Sequence, residues 1–230
     1  MTDQQALQAA RSPFIAGLAA AVAACVLMVA PAQAQQTAAP AAGTTAKAAV
    51  PADVFIKNLS AEVLTAVRSD KTLQAGDVHK VVTLVDSKIL PNVNFQRMTA
   101  SAVGRNWRQA TPEQKNRLQD EFKNLLIYTY AGAVSQIRDQ AVDVKPMRSR
   151  PEDTDVVVRT QVKGSGDPIQ LDYRLEKSGD GWKIYDVNVM GAWLVQTYQS
   201  SFSQEVSASG IDGLIAKLAE RNKQLAARKK

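Results

Sequence analysis

The sequence predicts an α+β domain, because apolar residues recur at helical spacing over 54–137 and 192–225 but at every second position over 156–189. Helices that precede and follow a block of strands, rather than alternating with them, indicate that the helices pack against a sheet as a separate layer. The strands are joined by short loops, which favours antiparallel pairing. A curved antiparallel sheet that faces long amphipathic helices leaves room for an apolar pocket.

Three helices are predicted in the first half of the domain. Apolar residues at three- and four-residue intervals predict helices over 54–67 and 76–90 and a shorter one over 94–104. We place the end of the second before Pro91, because proline disfavours helical geometry in the residue before it.

The clearest helix begins at Thr111. Its hydroxyl caps the first turn, Pro112 takes the first helical position, and Gln114 completes the capping-box pattern. A broad apolar face then continues to Ile137.

Strands are predicted over 156–163, 169–176 and 182–189, the last being apolar on parts of both faces. Glycine-rich loops at 164–167 and 178–181 join them into a meander. A fourth strand over 141–147 is placed at an edge of the sheet, where its proline is tolerated. Two closing helices follow over 192–206 and 211–225.

The N-terminal segment has the pattern of a cleavable secretory signal, which we assign to residues 1–34. Arg11 precedes an apolar run over 14–30, and the small residues of Ala32-Gln33-Ala34 match a cleavage site. Two alternatives remain: a retained membrane anchor, and a lipoprotein acylated at Cys25, although the apolar run continues past that cysteine.

The predicted mature chain consists of a disordered linker over 35–51, a single domain over 52–226 and a basic tail over 227–230. The formal net charge is +6, which favours anionic surfaces, and an exported protein does not meet nucleic acid.

No catalytic constellation is evident, so the predicted protein is not an enzyme. His79 is the only histidine and Cys25 the only cysteine, which excludes a thiolate or imidazole metal cluster and leaves a serine hydrolase without a convincing base. No glycine-rich phosphate loop precedes a helix. The apolar content beyond the core therefore points to an apolar ligand.

Several collinear blocks between residues 91 and 222 resemble the MlaC, or toluene-tolerance, family of periplasmic phospholipid-binding proteins. The blocks are NFQRM (94–98), GRNWRQATPEQ (104–114), EFKNLL (121–126), TYA (129–131), GWKIYDV (181–187) and GIDGLI (210–215). The sequence departs from the family pattern at Met190, where the family tends to have a glutamate, at Trp193, where it tends to have a small serine, and at Gln199, which replaces the usual arginine.

The resemblance implies a nuclear-transport-factor-two-like fold, in which a curved antiparallel sheet and several helices enclose a deep apolar pocket. It implies a phospholipid carrier of the periplasm that exchanges lipid with an inner-membrane ABC transporter complex and an outer-membrane lipoprotein–porin complex. This traffic maintains outer-membrane lipid asymmetry. The family uses no metal or organic cofactor.

Matching the apolar sheet face to the facing helices gives a set of candidates for contact with the lipid tails. The set is Phe95, Met98, Val103, Leu125, Leu126, Tyr130, Val158, Val162, Ile169, Leu171, Tyr173, Leu194 and Tyr198. Ordinary core packing competes with this role at each position. Trp107 and Trp182 are interpreted as structural anchors instead.

Three alternative functions remain open. The first is a periplasmic carrier of a different lipid, such as a hopanoid. An enzyme of the steroid-isomerase type needs a carboxylate base and an oxyanion donor in its pocket, for example Asp172 and Tyr173, but alternation along the strand places these two on opposite faces. A periplasmic adaptor would have a filled core and no ligand.

Overall fold

The computed structural model describes residues 50–150, 152–179 and 181–227. Over these ranges the chain forms an antiparallel sheet with several helices, which confirms the predicted α+β class. The predicted signal peptide, nearly all of the predicted linker and the last three residues of the predicted basic tail lie outside the described residues.

Six α-helices are present in the described ranges. They are α1 (Ala52–Ser69), α2 (Lys71–Gln74), α3 (Val78–Leu84), α4 (Phe95–Val103), α5 (Pro112–Val134) and α6 (Leu194–Ala227). Three short helical segments of other types are also present: a π-helical turn (Val85–Ile89) and two 3-10 helices (Leu90–Asn92 and Gly104–Gln109).

The region predicted as one helix over 76–90 is instead composed of α3, the π-helical turn and a 3-10 turn. The carboxylate of Asp77 accepts the backbone N–H groups of His79 and Lys80, so helix α3 begins only at Val78. Pro91 lies inside the 3-10 turn, where its missing N–H leaves no α-helical hydrogen bond unmade.

The capping box at the start of α5 is confirmed. The Gln114 N–H donates to the Thr111 hydroxyl at 3.2 Å, and the Thr111 N–H donates to the Gln114 side-chain oxygen at 3.0 Å. The helix ends at Val134, three residues before the predicted Ile137, where the chain turns toward the first strand.

The strands are β1 (Ala141–Val144), β2 (Asp155–Val158), β3 (Thr160–Lys163), β4 (Ile169–Ser178), β5 (Gly181–Val189) and β6 (Ala192–Trp193). The order across the sheet is β1-β3-β4-β5-β6, with β2 also paired to β4, so β1 takes the predicted edge position. The predicted strand over 156–163 is broken at Arg159 into β2 and β3, and the short strand β6 was not predicted.

A bulge in β5 explains why that strand looked apolar on both faces. Leu175 is opposite Ile184, whereas Arg174 is opposite Asp186, so Tyr185 is an extra residue on β5. The extra residue reverses the alternation. As a result, even-numbered residues before the bulge and odd-numbered residues after it lie on the same face of the sheet.

Strands β5 and β6 are joined by a two-residue turn at Met190 and Gly191. Both residues have positive φ, 54° and 92°, as the tight hairpin turn that matches strand twist requires. The Met190 N–H donates to the Gln170 carbonyl at 3.0 Å, which holds the turn beside the start of β4.

The two closing helices predicted at the C-terminus form one element, α6, broken at Gly210. Gly210 has φ 71° and ψ −176°, a conformation open essentially to glycine alone. The break divides α6 into a first half that follows β6 and a second half that returns along α5.

Buried apolar residues form three clusters, called here the helical, sheet and C-terminal-α5 clusters. The helical cluster joins α4, α5 and both halves of α6; its centre includes Phe122, Phe202 and Ile215. The sheet cluster joins α1 to β2, β4 and β5. The C-terminal-α5 cluster joins the end of α5 to α1, α2 and α3.

Candidate functional site: a partly covered apolar sheet face

One face of the sheet changes from fully covered to exposed along a single strand. On β4, Leu175 has no exposed surface, Tyr173 and Leu171 are half-buried, and Ile169 is 46% exposed. All four have the same parity on the strand and therefore point to the same face. The covered end is packed beneath α1 through Ile56 of the sheet cluster.

The neighbouring strands extend the exposed half of this face. Register places Val162 of β3 opposite Ile169, Val142 of β1 opposite Val162, and Val189 of β5 opposite Leu171. Among the described residues, none of the three core clusters includes these side chains. The result is a contiguous apolar surface outside the core clusters, exposed at Ile169 and half-buried elsewhere. Exposed apolar patches in proteins often mark binding surfaces. We call it the open sheet face.

The helical cluster meets the apolar face of the sheet at β5, and helices α4 and α6 contact this strand. Val187 of β5 packs against both the helical and the sheet cluster, so the helices approach the sheet where Val187 and Tyr173 are paired. On α5, Leu126 packs against the helical cluster, and Tyr130, one turn further on, is 37% exposed. From α6, the ring of Tyr198 meets Phe122 edge-on with centroids 5.1 Å apart.

Tyr173 is the one titratable side chain among the described residues of the apolar β4 row, which also contains Ile169, Leu171 and Leu175. Burial raises the pKa of its phenol to about 12, against the opposing effect of hydrogen bonds with the side chains of Ser60 and Thr160. The phenol is therefore neutral at physiological pH, and Tyr173 packs against the sheet cluster, to which α1 contributes Ile56.

The outer face of the sheet has a different character. Asp186 is almost fully buried there; it accepts the N–H groups of Val187 and Val195 at 2.9 and 3.0 Å and pairs with Arg174 at 3.0 Å. Burial raises the pKa of Asp186, and these hydrogen bonds and the arginine oppose that effect. The Val195 bond attaches the first turn of α6 to the sheet.

Asp172 also lies on this outer face. It is opposite Asn188 in register, and its carboxylate accepts the Thr160 N–H at 3.1 Å. Tyr173 has the other parity and lies on the apolar face, as the alternation predicted. The acid and the phenol that a steroid-isomerase site would need therefore do not share a pocket.

The thirteen predicted tail-contacting residues fall into three groups by exposure. Five are buried: Met98, Val103, Leu125, Val158 and Leu194. Six are half-buried: Phe95, Leu126, Val162, Leu171, Tyr173 and Tyr198. Two are exposed: Tyr130 and Ile169. The structure thus brings Val162, Ile169 and Leu171 together on the open sheet face, whereas the buried five are covered by other protein side chains. Contact with lipid stays a prediction for all thirteen.

Three apolar residues of this region were missed, namely Val142, Val187 and Val189. Val187 and Val189 of β5 were missed because strict alternation from Trp182 assigns odd-numbered residues to the outer face, whereas the bulge at Tyr185 places these two on the apolar face. The position of Val142 on the apolar face is set by the pairing of β1 with β3 and is not indicated by the local sequence pattern. Ser60, which contacts Tyr173, has no distinguishing feature in the sequence.

The two predicted structural anchors lie away from the open sheet face. Trp182 packs against the sheet cluster, and its indole N–H donates to the Val50 carbonyl at 2.9 Å. Trp107 packs against the helical cluster. Of the residues that depart from the family pattern, Met190 is 73% exposed in the turn beside Ile169 and Gln170.

An apolar concavity lies between α5 and the two halves of α6. It measures about 650 Å³, with Leu125, Phe202 and Leu218 among its lining residues and with Lys217 and Glu205 paired across its edge. Tyr198 also lines it, so two predicted tail-contacting residues, Leu125 and Tyr198, border this cleft.

Within the ranges that the structure describes, no group of three or more His, Cys, Asp or Glu side chains is placed to hold a metal ion. In the same ranges, no helix has both the length and the apolar character needed to cross a bilayer.

The fold and the open sheet face together define an α+β protein whose sheet has an apolar surface outside the core clusters. The chain belongs to the MlaC protein family, whose model matches residues 57–220, and the predicted family is thereby confirmed.

Three known proteins illustrate the relationship. A phospholipid-binding protein from Ralstonia solanacearum, solved in complex with a phospholipid, is 49% identical, with a TM-score of 0.74 over 76% of this chain and 98% of that chain. Toluene tolerance protein ttg2D of Pseudomonas putida is 24% identical over 73% of this chain and 78% of its own length. The intermembrane phospholipid transport system binding protein MlaC of Haemophilus influenzae is 21% identical over 74% and 82%.

Proposed function

We propose that this protein binds a phospholipid by its acyl tails against the open sheet face and carries it through the periplasm. The observation that carries the proposal is the exposure gradient along β4, which ends in an apolar surface that is included in no core cluster. The similarity to the Ralstonia protein, which was solved with a phospholipid, supports the same ligand class.

The size of the hydrophobic effect explains why a carrier needs such a surface. Removing one methylene from water is worth about 0.8 kcal/mol, so two tails of about fifteen carbons would cost on the order of 20 kcal/mol to expose. Only a lining as apolar as a bilayer interior offsets that cost. The side chains that register places on the open sheet face, Val142, Val162, Ile169, Leu171 and Val189, carry no charge.

The exposed end of the face gives the expected orientation of the lipid. Tails extend toward the covered end at Leu175, and the headgroup remains near Ile169 and the Met190 turn, where side chains meet water. A charged headgroup placed at the covered end would lose its hydration without a compensating partner, which is far more costly.

We further propose that the protein exchanges its lipid with an inner-membrane ABC transporter complex and an outer-membrane lipoprotein–porin complex, and so maintains outer-membrane lipid asymmetry without catalysing a reaction. The name of the Haemophilus relative, which places that protein in an intermembrane phospholipid transport system, supports this role. The predicted signal peptide supports the periplasmic location.

The decisive experiment is mass spectrometry of the lipid extracted from natively expressed protein. We expect phospholipid in a fixed stoichiometric ratio to protein. A hopanoid or other lipid in its place would overturn the ligand assignment, and folded protein that never retains an amphiphile would overturn the carrier function.

A charge on the open sheet face tests the site. We expect Leu171→Arg to abolish co-purifying phospholipid, because a buried guanidinium would face the tails without a partner. Gln170→Arg is the matched control, since Gln170 is exposed and lies one residue away on the opposite face. Folding of both variants is checked by circular dichroism. Equal lipid retention by the two folded variants would remove the open sheet face from the proposal.

A further inference from the structure

We propose that Tyr173 forms the end wall of the tail-binding space and thereby sets the length of acyl chain that the protein carries. This inference rests on the proposed function, because it assigns a selectivity to the same surface.

The position of Tyr173 follows from the packing beyond it. Past Tyr173, the apolar face of the sheet is closed: Leu175 has no exposed surface, and Ile184, opposite it, is nearly as buried. Both belong to the sheet cluster beneath α1, as does the fully buried Val158 that lies opposite Tyr173 itself. On the other side of Tyr173, Leu171 is half-buried and Ile169 is exposed. Tyr173 is thus the side chain at which the space available to a tail ends.

The side chain of Tyr173 is held by packing. It packs against the sheet cluster, to which α1 contributes Ile56, and the side chains of Ser60 on α1 and Thr160 on β3 lie near its hydroxyl. Its backbone lies in β4 between Val158 and Val187 in register. A rigid ring packed between the sheet and α1 has little freedom to move away from an incoming chain, unlike a flexible aliphatic side chain in the same place.

A fixed end wall makes the affinity of the protein for a phospholipid depend on the length of its acyl chains. A tail in a donor bilayer is already out of water, so a tail that fits completely gains and loses little on transfer. Each methylene that does not fit stays near Ile169 at the opening and is exposed to water. This exposure lowers the binding affinity by about four-fold per methylene. The carrier should therefore discriminate sharply against chains beyond its limit and weakly among shorter ones.

The test uses variants that move the wall in opposite directions. Tyr173→Ala removes the ring and should shift the bound lipid toward longer chains, whereas Tyr173→Trp enlarges it and should shift the lipid toward shorter ones. Ser60→Leu adds bulk to the same wall from α1 and should also favour shorter chains. Each protein is equilibrated with vesicles of phosphatidylethanolamines that differ only in chain length, and the bound species are counted by native mass spectrometry.

Two controls separate the wall from general effects on folding. Tyr185→Ala removes the same side chain from the adjacent strand, where its ring lies 3.6 Å from the Arg97 guanidinium, and should leave the distribution unchanged. Tyr173→Phe keeps the ring and should also leave the preferred length unchanged, because only the hydroxyl is lost. Thermal unfolding verifies that each variant is folded.

We expect the preferred chain length to increase from Tyr173→Trp through wild type to Tyr173→Ala. For chains beyond the limit of each protein, the relative occupancy should fall by about four-fold per methylene. Phospholipid bound by all folded variants with one common chain-length distribution would overturn the role of Tyr173 while leaving the carrier function intact. If wild-type protein takes up no phospholipid from any vesicle, the proposed function itself fails.

Discussion

At the scale of single residues, short-range chemistry was predictable and partnerships across the sheet were not. The capping box of Thr111 and Gln114 depends only on residues three apart, so the sequence defines it completely. The hydrogen bond from the Val195 N–H to the Asp186 carboxylate, by contrast, depends on where α6 begins relative to β5. Tyr173 was predicted as a tail contact, but its partner Ser60 lies more than one hundred residues earlier and has no local pattern.

Asp143 gives the clearest pH-dependent contribution. Its carboxylate lies 2.7 Å from the Lys145 ammonium and 2.7 Å from that of Lys163, which links the edge strand β1 to β3. These hydrogen bonds and charges lower the pKa of Asp143 from 3.8 to about 2. A carboxyl with a lowered folded-state pKa contributes stability that is complete above its unfolded pKa and is lost as pH falls through the folded value.

We therefore expect Asp143→Asn to reduce the urea unfolding midpoint by its full amount above about pH 5 and to converge with wild type as pH falls toward about 2. High salt should shrink the difference at every pH, because the three charges are accessible to solvent. A difference that stays constant over this pH range would mean that the ion pairs do not contribute to stability.

At the scale of elements, the sequence predicted which segments are helices and strands but not how irregular they are. Apolar periodicity located α1, α4, α5 and the three-stranded meander, since each buries one face against a partner. It missed the break at Arg159 and the π-helical turn over Val85–Ile89. These irregularities are settled by pairing and packing between distant segments, which leave the local pattern almost unchanged.

The break in α6 should depend on glycine at position 210. An added Cβ there would meet no atom within 4 Å, so the cost of Gly210→Ala is one of backbone conformation rather than of space. We expect it to lower the free energy of unfolding by about 1–3 kcal/mol, measured by chemical denaturation.

Gly132→Ala is the matched control, because Gly132 lies within α5 and its Cβ would also meet no atom within 4 Å. Alanine is favoured over glycine inside a helix, so this change should stabilise the protein by about 0.5–1 kcal/mol. If both substitutions stabilised the protein, the two halves of α6 would form a continuous helix in solution.

At the scale of the whole molecule, the class of fold follows from the order of elements, whereas the site follows from what the core leaves uncovered. Five of the thirteen predicted tail contacts, such as Val158 and Met98, are buried in protein packing. Periodicity assigns a residue to a face but does not say whether a helix or a ligand covers it. That distinction requires knowing where α1 ends relative to β4.

Occupancy by lipid should therefore control the stability of the entire domain. A ligand that binds only the folded state adds RT ln(1 + [L]/Kd), which is about 2.7 kcal/mol when its concentration is one hundred times Kd. We expect protein stripped of lipid in detergent or denaturant and then refolded to have a lower Tm, and incubation with phospholipid vesicles to restore it. Scanning calorimetry provides the measurement, with Leu171→Arg as the variant that should not respond. An unchanged Tm after verified removal of lipid would argue against occupancy of a space inside the domain.

The closure of the apolar face at Leu175 has a consequence for exchange under the proposed function. A lipid whose tails extend toward Leu175 would have to leave by the opening through which it entered, headgroup first. The donor complex and the acceptor complex would then contact the same rim of the protein. They would compete for that rim, so we expect the protein to bind one complex at a time.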